Sequence, residues 1–172
     1  MKKNKPPVGV VMGSDSDFPI LEEALHVLDS FAVAYEVTIS SAHRSPARTS
    51  AYAKTAVSRG IEVIIVGAGS AAHLAGVIAA ETPLPVIGIP IDSSPLKGID
   101  ALLSTVQMPA GVPVATMAIG KAGARNAAVL AVRILALKDA GLRKKLNAFR
   151  NGLAEQVEQK AQELQKKLNQ RL

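Results

Sequence analysis

His43 and Arg44 stand side by side, with Ser41 two residues before them and Ser45-Pro46 directly after. His43 is the one side chain in this stretch that both gives and takes a proton near neutral pH. Arg44 carries a planar guanidinium fork that matches the oxygens of a phosphate. With Ser41, and with Ser14 from an earlier loop, it would form a phosphate clamp. That earlier loop, Gly13-Ser14-Asp15-Ser16-Asp17, offers hydroxyls and free backbone N–H groups ahead of a helix, a combination that receives anions. Asp17 adds an acceptor for sugar hydroxyls. A third stretch, Gly67-Ala68-Gly69-Ser70-Ala71-Ala72, allows a close approach of backbone to ligand, and its successive N–H groups suit a carboxylate. Each stretch also has a plainer reading. Ser and Asp before a helix are ordinary caps, and a loop histidine is often simply solvated. His73 falls in the first turn of the next helix, in a supporting or structural role, and His26 falls mid-helix with no role.

Several chemistries are excluded by residue type or spacing. The chain has no cysteine, which removes disulfides, thiolate nucleophiles and thiolate metal sites together. Its three histidines show no metal-ligand spacing such as His-Glu-x-x-His, so no metal is expected, and no organic cofactor. There is no Gly-x-Ser-x-Gly elbow, and no Gly-Lys-Ser/Thr completes a phosphate loop after Gly13. A receiver-type phosphorylation site would need an Asp where Val66 and Gly67 stand. Proton transfer, or binding of a phosphorylated ligand, remains.

These loops need elements that bring them together. Val8 to Met12 reads as a buried strand, followed by a helix with Pro19 in its first turn and Leu21, Ala24, Leu25, Leu28 and Phe31 at helical spacing. Val33 to Ile39 reads as a second strand, and Ser45-Pro46 opens a helix that Gly60 stops after Arg59. Val63 to Val66 is a third strand, with an Ala-rich helix from about Ala71 to Glu81. Pro85 to Ile89 is a fourth strand, residues 98–106 a short helix, Val114 to Ile119 a fifth strand, and 123–137 another helix. Near-continuously apolar strands alternating with helices predict a three-layer α/β/α fold around a five-stranded parallel sheet. The flavodoxin-like order 2-1-3-4-5 suits five strands. Right-handed crossovers then gather every strand-to-helix loop at one sheet edge, where such folds bind ligands.

At 172 residues the chain reads as one domain, with a core over about 8–137 and a helical extension over about 139–169. The net charge of +6 invites a nucleic-acid reading that its distribution argues against. Residues 1–5 hold three lysines, and residues 139–172 hold eight basic against four acidic residues. The body between them, 6–138, has nine basic and ten acidic residues. Aromatic residues are 3% of the chain and Trp is absent, so bases would find no stacking platform. No leader segment is recognisable and no apolar run approaches the roughly 18 residues of a membrane span, so a cytoplasmic protein is expected. In the extension, Leu146, Phe149, Leu153, Val157, Ala161, Leu164 and Leu168 recur every three or four residues, one apolar stripe along a helix. It would pack either on its own domain or on another subunit, a homo-oligomer being the ordinary form of the latter.

Taken together, the three loops are distinctive. Gly13-Ser14-Asp15-Ser16-Asp17, Ser41-Ala42-His43-Arg44-Ser45-Pro46 and Gly67-Ala68-Gly69-Ser70-Ala71-Ala72-His73-Leu74 occur in this order, followed by Gln107-Met108-Pro109-Ala110-Gly111-Val112-Pro113-Val114-Ala115-Thr116, Ala118-Ile119-Gly120 and Asn126-Ala127-Ala128. From about residue 8 to 137 the chain closely resembles the class I 5-(carboxyamino)imidazole ribonucleotide mutases of bacterial purine synthesis. The resemblance implies a cofactor-free isomerase that moves a carboxyl group from the exocyclic nitrogen to ring carbon 4, through decarboxylation and recarboxylation of a held intermediate. It implies Ser14, Ser41 and Arg44 on the phosphate, Asp17 on the ribose and His43 as general acid and base. The Gly69-Ser70-Ala71 backbone and Leu74 would shape the carboxylate pocket, with Ser16 and His73 just behind the contacting residues. It further implies a homo-octamer with shared sites and an ATP-dependent carboxyaminoimidazole ribonucleotide synthase acting upstream.

The chain departs from the family pattern at a few positions. Ser70 and Ala75 stand where Gly and Pro are usual, Phe18 where Trp is common and Ser45 where Thr is common. Ser70 is expected to add a side chain to the pocket. The related class II enzymes, which carboxylate aminoimidazole ribonucleotide directly with carbon dioxide, characteristically carry Lys at the position of Arg44. Direct carboxylation is the alternative activity, and a flavodoxin-like nucleotide-binding module the alternative of another class.

Overall fold

A strand buried on both faces has no polar side to show, and three of the strands are apolar almost throughout. In the computed structural model, which describes residues 5–169, these are β1 (Val8–Met12), β3 (Val63–Gly69) and β4 (Val86–Ile91). They pair in parallel at the centre of a sheet ordered β2-β1-β3-β4-β5, as the alternating pattern predicts. β2 (Tyr35–Ile39) and β5 (Ala115–Thr116) form the edges. Lys2, Lys3 and Arg171, part of the basic surplus at the two ends, lie outside the described residues.

Helices cover both faces. α1 (Phe18–Ser30) and α5 (Lys121–Leu135) lie on one, where Leu21, Leu28, Ala124 and Ala131 pack on Val8, Val10 and Met12. α2 (Pro46–Arg59) and α3 (Leu74–Glu81) lie on the other, packing Ala53, Ala56 and Ile78 on Val11, Ile64 and Val66. Thr105 of α4 (Ile99–Val106) meets Ala75 over Gly88 on this second face. A row across the sheet runs Ile39, Met12, Gly67, Ile89. The strands that lead into the polar motifs all end within two residues of that row.

Local chemistry explains where element bounds differ from the sequence pattern. The second strand starts at Tyr35 and not Val33, because the Val33 N–H bonds the Leu28 carbonyl and finishes α1. The third helix starts at Leu74 and not Ala71. Ser70 has φ 53°, and the N–H groups of Ala72 and His73 bond the carbonyls of Ser70 and Ala71. That tight turn uses up the residues expected to be helical and leaves His73 at the helix N-cap rather than in its first turn. The fifth strand is only Ala115–Thr116. Pro113 has no N–H to give a ladder, and an edge strand has one neighbour alone.

α6 (Ala140–Asn169) runs 30 residues, about 45 Å at the helical rise. Its first turns join the core: Leu142 and Leu146 pack against it, and the Phe149 ring meets Phe31 edge-on at 5.6 Å. Lys145 donates to the Phe31 carbonyl at 2.7 Å. Beyond Leu153 the stripe continues without a partner in the chain, Val157 being 69% and Leu164 59% exposed.

Helix and sheet approach closely at Gly67, where a Cβ would stand 2.3 Å from Cδ2 of the fully buried Leu21. Gly67→Ala is therefore expected to destabilise the fold by about 1–3 kcal/mol through overpacking, read from the urea midpoint. A midpoint unchanged from wild type would mean that α1 does not rest on β3 as described.

Candidate active site

The site is assembled by hydrogen bonds that fold each loop on itself and then on its neighbour. After β1, the Ser14 side chain caps a single 3₁₀ turn (Asp15–Asp17), accepting from Ser16 N–H at 3.4 Å. Asp17 Oδ2 accepts from the Ser14 N–H at 3.0 Å, the reciprocal half of a capping box. The plain reading of Ser14 and Asp17 as caps therefore holds, and the Ser14 hydroxyl also donates to Asp15 Oδ1 and accepts from the Ser16 hydroxyl, both at 3.0 Å. Asp17 is only 5% exposed. Burial pushes its carboxyl above the ordinary 3.8, against the pull of the Ser14 and Gly13 backbone N–H groups. Asp15, in the open, is held below its ordinary value by the Ser14 hydroxyl and the Ser16 N–H, with Arg44 adding to the effect.

After β2, Ser40 turns inward and its hydroxyl lies 2.8 Å from that of the fully buried Thr49. Ser45 closes the turn, donating its hydroxyl to the Ser41 carbonyl and accepting from the Ser41 N–H, both at 3.1 Å. The Ser41 hydroxyl accepts from the Arg44 N–H at 3.2 Å. The Arg44 guanidinium reaches across to the Gly13 carbonyl at 3.2 Å, linking the second loop to the first. Its Nε also approaches the Ser41 hydroxyl, at 3.5 Å.

His43 reaches further, over the tip of β1 to the loop after β3. Its Nε2 lies 2.8 Å from His73 Nδ1, with the rings edge-on. One proton shared between two imidazole nitrogens couples the two tautomers, one ring donating and the other accepting, and His43 Nδ1 is the ring nitrogen outside this bond. His73 is thus a direct partner of His43, although the two are 30 residues apart in sequence.

Of the residues singled out by sequence, His43, Ser14, Asp17, Ser41, Arg44, Gly69, Ala71, Leu74 and Ser16 line one cavity of about 290 Å³. Ser70 does not. It is exposed and turned away, so its expected intrusion into the pocket is replaced by a backbone effect: a side chain held at φ 53°, where glycine would sit without strain. His73 stands behind His43 and outside the lining. Gly13, Ala42 and Ala68 also line the cavity, within the motifs read from sequence but not singled out there, and Ser93 was missed altogether. Ser93 was findable, because Asp92-Ser93-Ser94 follows β4 at the same sheet edge as the other three loops.

A larger groove of about 500 Å³ lies at the elbow between α5 and α6, lined by Arg133, Arg143, Arg150 and apolar neighbours. It contains no group that titrates near neutrality. Among the described residues no cluster of His, Cys, Asp and Glu could hold a metal ion. The 290 Å³ cavity brings together the Arg44 guanidinium, the Ser14 and Ser41 hydroxyls, the buried Asp17 carboxyl and His43.

Residues 7–156 match the family described as AIR carboxylase. The chain is 56% identical to an N5-carboxyaminoimidazole ribonucleotide mutase of Pyrococcus horikoshii, over 96% of this chain and 92% of that protein. It is also 56% identical to a protein of the same name from Mycobacterium leprae, over 94% of each chain. A phosphoribosylaminoimidazole carboxylase of Candida glabrata is 55% identical over 94% of this chain, which is 28% of that longer protein. The crystal structure of PurE from Treponema denticola superposes with a TM-score of 0.80 at 26% identity, covering 88% of this chain and 94% of that one. On the match of 7–156, the shared fold and the end-to-end relatives, this chain belongs to the AIR carboxylase family.

Proposed function

We propose that this chain is a mutase of purine biosynthesis. It converts N5-carboxyaminoimidazole ribonucleotide into 4-carboxy-5-aminoimidazole ribonucleotide, with His43 carrying the proton. The observation that carries the reading is the convergence of His43, Arg44, Ser41, Ser14 and Asp17 on one cavity, in a chain whose end-to-end relatives bear the mutase name. Arg44, Ser41 and Ser14 hold the phosphate, and Asp17 accepts from the ribose. Ser16 and His73 support them, and the small walls at Gly69, Ala71 and Leu74 enclose the carboxyl group.

The chemistry balances on one histidine. The bond between the exocyclic nitrogen and the carboxyl carbon breaks, carbon dioxide forms, and the electron pair left on nitrogen takes a proton from His43. Carbon 4 then attacks the held carbon dioxide, forming the new carbon–carbon bond, and its proton returns to His43. The enzyme ends in the state in which it began, with no oxidant, reductant or cofactor involved. Close confinement suffices, because an intermediate held in place reacts faster than one that must return from solution.

The reading extends to assembly and setting. A cytoplasmic homo-octamer that shares its sites is supported by the unpartnered stripe of α6 and by Phe18, Val37 and Ile39, exposed beside the cavity. None of the described helices is long and apolar enough to cross a membrane. An ATP-dependent synthase would supply the carbamate substrate.

Direct carboxylation is the second reading, on the strength of the yeast relative's name. That relative matches this chain over only 28% of its own length, whereas the mutases match throughout. The two are separated by assaying purified protein with N5-carboxyaminoimidazole ribonucleotide and, in parallel, with aminoimidazole ribonucleotide plus bicarbonate. Faster turnover of the first is expected, and His43→Asn should abolish it while leaving the melting curve and substrate binding nearly unchanged. Faster turnover of the second would make the chain a carboxylase, and an active His43→Asn would remove this residue from the mechanism.

Asp17 couples this role to stability. Its folded-state carboxyl titrates above its unfolded value, so the folded chain holds a proton that the unfolded chain has already released. The stabilisation this gives is complete below the unfolded value and disappears as pH rises through the raised one. Asp17→Asn is expected to flatten the loss of stability as pH rises past the ordinary 3.8, while weakening substrate binding. Parallel wild-type and variant profiles of stability against pH in urea melts would contradict it.

A further inference from the structure

The order of strands divides the cavity into two ends. β2 and β1 are neighbours, and their loops bring Ser41, Arg44 and Ser14 to one end. β3 and β4 are neighbours on the other side of β1, and their loops form the far end from Ala68, Gly69, Ala71 and Ser93. His43 reaches from the first end toward the second, where it meets His73. With the phosphate clamped by Arg44, the reacting ring and its carboxyl group fall toward the far end. Those walls are glycine and alanine, apart from Leu74 and Ser93.

Ser93 is placed for a specific task. A Cβ on Gly69 would stand 1.8 Å from the Ser93 Oγ and 2.9 Å from its Cβ, so the hydroxyl lies directly over the Gly69 backbone. Only a residue without a side chain at 69 permits this. The next residue, Ser94, accepts from the Leu96 N–H and braces the loop. Among the described residues, the Ser93 hydroxyl has no hydrogen-bond partner within the chain. It lines the cavity as a free donor.

We propose that Ser93 is a substrate-binding residue whose hydroxyl donates to the carboxyl group in transit, holding it while it is detached as carbon dioxide and as it regains charge on carbon 4. The proposal rests on the mutase reading above. Carbon dioxide itself accepts hydrogen bonds weakly, whereas the carboxylate before and after it accepts them well. A fixed donor therefore acts most where negative charge develops on the oxygens, in forming either carboxylate. The proton stays on Ser93 throughout, and bond making and breaking remain as written for His43. Ser93 also selects for a substrate that carries a carboxyl group at this end.

The test compares wild type with Ser93→Ala. With N5-carboxyaminoimidazole ribonucleotide as substrate, the carboxylated product and the aminoimidazole ribonucleotide that escapes are both quantified. Binding of aminoimidazole ribonucleotide, which lacks the carboxyl group, is measured separately. Ser93→Ala is expected to slow product formation roughly tenfold, the effect of one neutral hydrogen bond, and to raise the escaping fraction. Its affinity for aminoimidazole ribonucleotide should stay at the wild-type value. Gly69→Ala, which displaces the same hydroxyl, should reproduce the leak in a chain whose melting curve shows it folded. Wild-type rate and leak in Ser93→Ala overturn the proposal, as does an equal loss of affinity for both ribonucleotides. A wild-type protein that turns over neither substrate overturns the mutase reading itself, and this proposal with it.

Discussion

A parallel sheet buried on both faces leaves its polar chemistry only the ends of its strands, and here the lateral order of those ends decides the chemistry. β1 sits between β2 and β3, so the His43–His73 bond can form only by passing over the β1 tip. The Arg44 contact with the Gly13 carbonyl crosses the same gap lower down. These two contacts tie three loops, separated by tens of residues in sequence, into one wall. The loops can reach one another because the row Ile39, Met12, Gly67, Ile89 already stands level. A change in strand order would leave every motif intact and scatter the site.

The same sheet explains the distribution of small residues. Gly67 admits Leu21 of α1, Gly88 admits Thr105 of α4, and Gly69 admits the Ser93 hydroxyl. The first two are packing requirements of a close helix layer. The third lies at the cavity, where both residues line the wall. Asp17 lines the same cavity. Its burial favours the neutral form, opposing the charge that suits a ribose acceptor at neutral pH. Ser70, held at a positive φ, is a further strained position beside the site.

Strand order, helix number and most of the cavity lining were legible in the sequence, for a physical reason. Buried parallel strands must be apolar throughout, and phosphate clamps use few residue types. What was not legible depended on conformation rather than composition. The letters of Ser70 do not carry the sign of its φ, so a side chain expected in the pocket turns out beside it, and α3 begins three residues late. Val33 is apolar enough for a strand, but its N–H is taken by the end of α1. Ser93 resembles any serine after a strand until the register of β4 against β3 sets it over Gly69. The stripe of α6 signalled a helix correctly, and packing on its own domain holds for part of it: Leu146 and Phe149 pack at home, while Val157 and Leu164 lie open.

The central claim is that carbon dioxide never leaves the cavity between the two bond-changing steps. Substrate carrying a ¹³C label in its carboxyl group, turned over in excess unlabelled bicarbonate, tests this most directly. Product that keeps the label at carbon 4 is the predicted result, because the detached group is recaptured before it exchanges with solution. Product that acquires unlabelled carbon would mean that the group is released and replaced, contradicting the account.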